Sequence, residues 1–160
     1  MAQEKRKKLS MMVFSGDLDR LFAAFIIATG AAAANMDVTM FFTFWGLRAL
    51  KKKVRTGKSL FGRLLGLMYG GDITRATPSK MSFGGLGRWM FKKMMKAKKV
   101  PTLSQLRQMA LDLGVKLYGC QMSMDVMEIP RETMIDEIAA CVGVAFFIEQ
   151  AQQSEVTLFI

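Results

Sequence analysis

With 160 residues, 51% of them apolar, the chain is long enough for one ordinary core and too apolar to be disordered. Its net charge of +10 is uneven: residues 48–99 hold 15 Lys/Arg against the single acid Asp72, and the remainder is slightly acidic. That asymmetry points to an anionic partner or surface, and the complete absence of histidine excludes the Ser-His-Asp triad, the Cys-His pair and every His-ligated metal site.

Leu9–Ser15 is a short apolar run ending at Gly16 and predicts a buried strand. Asp17 then caps a helix from Leu18 to about Asn35, apolar nearly all round, so both of its sides are expected to meet protein. Asp37–Phe44, rich in β-branched and aromatic residues, predicts a second buried strand; Trp45-Gly46 ends it and Leu47–Lys53 begins a helix. Strand, helix, strand, helix is the opening of a parallel α/β sheet.

The regular pattern stops over residues 54–101, which hold eight of the 14 glycines and most of the basic charge. Residues 54–99 read as a basic insertion within a single domain spanning 1–160. It is expected to pack as helices over the core or at a subunit interface, covering Leu64, Leu65, Trp89, Phe91 and Met94 and setting its cations around the functional cleft. The α/β pattern resumes where Thr102 or Ser104 caps a helix to Leu113, followed by a third strand, Val115–Gly119. Pro130 suits the first turn of a helix through about Ala140; Val144–Gln153 is a last helix and Val156–Ile160 a closing strand. The charged start Met1–Lys8 leads into an apolar stretch broken by Asp17, Asp19 and Arg20, unlike a secretion signal. The longest uncharged run, Leu21–Met36, is short of the roughly 18–20 residues that cross a bilayer. A cytoplasmic, reducing environment is the expectation, with membrane association through the basic segment as an added feature.

Ligand sites of open α/β sheets lie outside the carboxyl ends of the strands. The loops expected there are Ser15-Gly16-Asp17, Trp45-Gly46 and Cys120-Gln121-Met122-Ser123. Cys120 sits where a strand gives way to a turn or helix start, where the N–H groups of residues 121–124 would favour its thiolate. Asp17 and Asp125 would oppose that if they came close. A small buried apolar role is the alternative for Cys120, and it is the preferred one for Cys141, which lies in the apolar stretch Ile138–Phe147. Two cysteines are too few for a disulfide scaffold and match no zinc spacing.

The segment Tyr118-Gly119-Cys120-Gln121-Met122-Ser123-Met124-Asp125-Val126-Met127 resembles the cysteine motif of the DsrE/DsrF/TusD-like sulfur-relay family, in its longer, Met-rich sub-group. Phe14–Asp19, Met40–Leu47 and Gly143–Ile160 are similar to other parts of that sub-group. The resemblance implies a three-layer α/β/α domain, flavodoxin-like in shape, on a mostly parallel sheet of about five strands, usually assembled into homo-oligomers. It also implies sulfur transfer without cofactor or metal: Cys120 takes up sulfane sulfur as a persulfide and passes it to a partner thiol, so the partners are donor and acceptor proteins with reactive cysteines. Ser15, Gly16, Asp17, Trp45, Gly46, Gln121, Met122 and Ser123 are then the residues lining the Cys120 pocket.

Four rival readings remain open on the sequence. A rhodanese-like enzyme needs an anion-cradling loop, whereas Cys120 is followed by no cation until Arg131. A nucleotide or flavin site is opposed by the acids of Ser15–Asp19, and Ser82–Gly87 is Gly-rich without the strand that the motif requires. A peroxide-reducing thiol protein would use Cys141 to resolve a sulfenic acid on Cys120. A binding module would use Gly87–Lys99, where six cations interleave with Trp89, Met90, Phe91, Met94 and Met95, as a membrane-surface helix; the same residues equally suit an oligomer-packing or partner-docking helix, and a solvated basic face is the plainest alternative. Nucleic acid is the least favoured partner because no recognisable module accompanies the charge.

Overall fold

Burial along the first strand sets the architecture. β1 (Lys8–Val13) is covered on both faces, as expected for a strand inside a parallel sheet. The computed structural model describes residues 6–54, 56–68, 71–80 and 83–160; most of the charged start Met1–Lys8, and positions 55, 69–70 and 81–82 of the basic segment, lie outside them. β1 is followed by α1 (Leu18–Ala33), β2 (Asp37–Phe42) and a 3₁₀ helix over Phe44–Leu50. Two helices of the basic segment come next, α2 (Leu60–Met68) and α3 (Leu86–Ala97), then α4 (Leu103–Asp112), β3 (Lys116–Cys120) and α5 (Gln121–Val126). β4 (Ala140–Val142), α6 (Val144–Gln152) and β5 (Val156–Phe159) complete the chain.

The five strands form one all-parallel sheet in the order β4-β3-β2-β1-β5. Val13, Phe42, Gly119 and Cys141 stand in one row across four strands, so the strands end nearly level. One face carries the main core, where Met11, Val13, Met40, Phe42 and Leu117 pack under Leu21, Phe25 and Ala28 of α1 and Leu106 and Ala110 of α4. The other face is covered by α6, whose Phe147 stacks on Phe41 with ring centroids 5.5 Å apart. Helices on both faces of a parallel sheet make the three-layer α/β fold that the sequence predicted.

Local differences from the sequence reading have physical causes. The helix expected from Leu47 is instead the 3₁₀ helix Phe44–Leu50, entered through Phe44 in the left-handed region at φ 44°. The helix expected from Pro130 is absent: Pro130 precedes a single 3₁₀ turn, Arg131–Thr133, and the chain then enters β4. Of the two candidate caps, Thr102 is the one used, in a reciprocal capping box with Gln105. The named apolar residues of the basic segment are not covered by the core of the same chain: Leu64, Trp89 and Met94 are well exposed, and Leu65 and Phe91 are at the margin.

Candidate functional site around Cys120

Because all five strands are parallel, the loops after β1, β2 and β3 leave the same sheet edge, as the strand pattern implied. Gly46 shows how tightly the second loop is held there. A methyl group on it would sit 2.1 Å from the Val13 carbonyl oxygen, so a side chain has no room. Its N–H donates to the Phe14 and Thr43 carbonyls at 2.8 and 2.9 Å, fastening the β2 exit to the end of β1. The third loop is joined to the second by a buried hydroxyl pair, Thr43 Oγ1 and Ser123 Oγ, 2.8 Å apart.

Cys120 is the last residue of β3 and the N-cap of α5. It is 3% exposed and packs with Phe41 and Phe147, next to Met12, Tyr118, Val142 and Ala151. None of these apolar neighbours comes from the basic segment. The Cys120 side chain makes no capping hydrogen bond to the first turn of α5. Burial under an aromatic lid is what distinguishes this thiol.

The other predicted lining residues divide into two groups. Ser123 is fully buried beneath the β3–α5 junction, whereas Met122 is exposed and Gln121 donates its amide to Asp125 at 2.8 Å. Ser15, Gly16 and Asp17 follow β1, two strands from β3, or roughly 10 Å at the ordinary strand spacing. There Ser15 Oγ donates to Asp17 Oδ2 at 3.0 Å and accepts from the Asp17 N–H at 3.1 Å, closing the turn on itself. Trp45 borders a small cleft with Arg48, Lys51 and Thr56. In that cleft burial, reinforced by the neighbouring Arg48 charge, lowers the pKa of Lys51, whose Nζ donates to Thr56 at 3.1 Å. A cavity of about 930 Å³ lies elsewhere, between α1, α3 and α4.

The sequence reading missed the residues contributed by distant segments. Phe41 and Phe147 cover Cys120, and Phe14 forms an aromatic group with Phe44 and Phe159 at the sheet's carboxyl edge, with centroids 5.8 and 6.1 Å away. Alternating apolar residues on β2 and α6 marked both as buried elements, but nothing local paired them with Cys120.

Cys141 lies on the other side of the sheet. It is registered with Gly119, not Cys120, and packs against the main core, where burial raises its pKa. The sheet therefore separates the two thiols, which removes the resolving partner that the peroxidase reading requires. Among the described residues no group of His, Cys, Asp and Glu could hold a metal ion, and no helix is long and apolar enough to cross a membrane.

A sequence profile of the DsrE/DsrF/DrsH-like family matches residues 5–159. The chain belongs to that family. It is 33% identical over 162 residues to the sulfur carrier protein DsrE2 of Allochromatium vinosum, covering 98% of this chain and 99% of that protein. It is 40% identical over 159 residues to the Bacillus subtilis protein YrkE, again covering 98% and 99% of the two chains. The crystal structure of YchN from Escherichia coli superposes with a TM-score of 0.61 at 11% identity, over 96% of this chain and 99% of that one, and so shows the shared fold. Of these proteins, the Allochromatium relative is named as a sulfur carrier.

Proposed function

We propose that the chain carries sulfane sulfur as a persulfide on Cys120 and hands it to a cysteine of a partner protein. The observation that carries this reading is the place of Cys120: it ends an interior strand at the carboxyl edge of a parallel sheet, where open α/β sheets bind ligands, within the motif that resembles the family's sulfur-bearing cysteine. In the loading step the Cys120 thiolate attacks the outer sulfur of a donor persulfide. The donor's S–S bond breaks, the donor thiolate leaves, and a new S–S bond forms on Cys120, which now bears the terminal sulfur. An acceptor thiolate then attacks that terminal sulfur and releases Cys120 as thiolate. The exchange is redox-neutral overall and needs no metal, nucleotide or histidine.

Burial shapes how this exchange proceeds. Thiol exchange requires access, and Cys120 lies beneath Phe147 of α6. A donor that displaces α6 or its aromatic cover reaches the sulfur, and the same cover protects the persulfide between transfers. This favours protein-to-protein relay over turnover of free thiosulfate, in keeping with a loop that has no cation between Cys120 and Arg131.

The test is to incubate the reduced protein with polysulfide and map added sulfur by intact-mass and peptide analysis. Cys120→Ser abolishes loading, Cys141→Ser retains it, and Phe147→Ala speeds it by exposing the thiol. Equal loading of the two cysteine variants would sink the assignment.

A further inference from the structure

The helices of the basic segment are mounted inside out. In α3, Leu86, Met90 and Met94 recur at the four-residue spacing of one helix face and all point to solvent, with Leu86 62% and Met94 60% exposed. The cations Arg88 and Lys92 turn inward, donating to the carbonyls of Arg75 at 3.4 Å and Thr74 at 2.7 Å. α2 likewise turns its apolar side chains out: over residues 60–67 only Gly62 and Gly66 are buried, while Leu60 and Phe61 are 81% and 77% exposed and Leu64 and Leu67 are exposed as well. Gly66 packs so closely that a methyl group on it would fall 2.0 Å from the Thr56 carbonyl oxygen. The two helices flank the same stretch of chain: Gly66 and Leu67 line a cleft with Asp72, Thr74 and Arg75, the stretch that α3 grips.

We propose that α2 and α3 are a docking face for an anionic lipid bilayer, lying in the boundary between headgroups and acyl chains. A soluble chain rarely leaves so many large apolar side chains uncovered without a partner for them. The charge selects the partner: residues 48–99 carry 15 Lys/Arg and one acid, so a second copy offering the same face would bring like charges together. A bilayer with anionic lipids satisfies the apolar stripe and the flanking cations at once. Trp89, 60% exposed with the Lys93 ammonium 5.1 Å from its ring centre, adds an aromatic–cation pair suited to the headgroup level. At 1.5 Å per residue α2 and α3 are roughly 14 and 18 Å long, against a hydrocarbon core of about 30 Å, so they lie on the bilayer and do not span it. This inference is independent of the role of Cys120.

The experiment is co-sedimentation of the full chain with vesicles of phosphatidylcholine alone and of phosphatidylcholine mixed with phosphatidylglycerol. The variants are Met90→Glu/Met94→Glu and Leu64→Glu, both at exposed positions, with folding checked by circular dichroism and oligomeric state by light scattering. Wild type is expected to bind the mixed vesicles roughly ten-fold or more tightly than the neutral ones, and less so as salt rises. The α3 double variant loses that binding and Leu64→Glu weakens it. Wild type that stays in the supernatant with anionic vesicles would overturn the proposal. So would binding unchanged in the α3 double variant, or equal binding to both vesicle types. Conversion of an oligomer to a monomer by that variant, without any vesicle binding, would assign the face to self-association instead.

Discussion

α1 and the helix pair α2/α3 put similar residues to opposite uses. α1 is 16 residues long and buries Leu18, Leu21, Phe22, Ala24, Phe25 and Ala28 between the sheet and α4. α2 and α3 are rich in large apolar side chains too but turn most of them to solvent, and apart from Met95, which packs on the core, they meet the rest of the chain through glycines and polar contacts. Asp19 accepts from the Ser79 N–H and Oγ at 2.9 and 2.6 Å, and Glu128 accepts from the N–H groups of Lys58 and Ser59. The sheet is thus held by apolar burial, whereas the basic segment joins it through a few apolar residues, Ile73, Ala76 and Met95, and through short polar contacts. Composition alone does not fix which side of a helix is the inside; the elements packed against it do.

The largest expected effect separates these two kinds of helix directly. Phe25 is fully buried in α1 and tilts against Phe42 with centroids 6.0 Å apart. Phe25→Ala removes that packing and leaves a cavity, at a cost of about 3–5 kcal/mol in denaturant unfolding. Met94→Ala, on the outward face of α3, stays within roughly 0.5 kcal/mol of wild type. A Met94→Ala loss comparable to that of Phe25→Ala would show that α3 is covered in the folded chain, and the comparison would fail.

Glycines give a second contrast, of opposite sign in the two helices. Gly66→Ala drives a methyl group into the Thr56 backbone, so α2 has to back away, a strain of about 1–3 kcal/mol at its seat. Gly30→Ala in α1 meets nothing within 4 Å and removes a flexible residue from a helix interior, which stabilises by about 0.5–1 kcal/mol. Hydrogen exchange by mass spectrometry reads both: α2 loses protection in the first variant while the sheet keeps it, and α1 gains protection in the second. Unaltered α2 protection in Gly66→Ala would mean that the close glycine seat is not what holds the helix.

Much of this fold was legible in the sequence, and the parts that were not share a cause. β1, β2, β3 and β5 announce themselves as short apolar runs with β-branched and aromatic residues, closed by glycine, serine or a charged residue, and their ends fall within two residues of expectation. β4 does not, because Ala140–Val142 is a three-residue edge strand with no room for a period, and Pro130 upstream imitates a helix start. Cys120 could be placed at a strand end because Val115–Gly119 runs directly into it. Its cover could not be foreseen, because Phe41 and Phe147 come from elements far away in the chain. The orientation of α2 and α3 was hidden for the same reason: the apolar stripe is visible in the sequence, but the seat formed by Thr56, Glu128 and the Thr74 and Arg75 carbonyls is not.

The smallest expected effect concerns how α2 is tethered. The Glu128 carboxylate receives hydrogen bonds from the Ser59 side chain and from the Ser59 and Lys58 backbone, and these hold its pKa below the ordinary glutamate value. A carboxylate with a lowered folded-state pKa contributes its stabilisation above the unfolded-state value and loses it as pH falls through the folded one. The tether is therefore intact at neutral pH and releases only in acid, below the usual glutamate range. Because Glu128 is half-buried at the surface and tethers only the start of α2, its loss shifts the local docking of α2 without unfolding the sheet. In a pH titration followed by NMR, the Lys58 and Ser59 amide resonances are expected to move with a midpoint below that of a free glutamate, and in Glu128→Gln that transition disappears. A midpoint at or above the free value, or an unchanged transition in the glutamine variant, would show that some other group carries the tether.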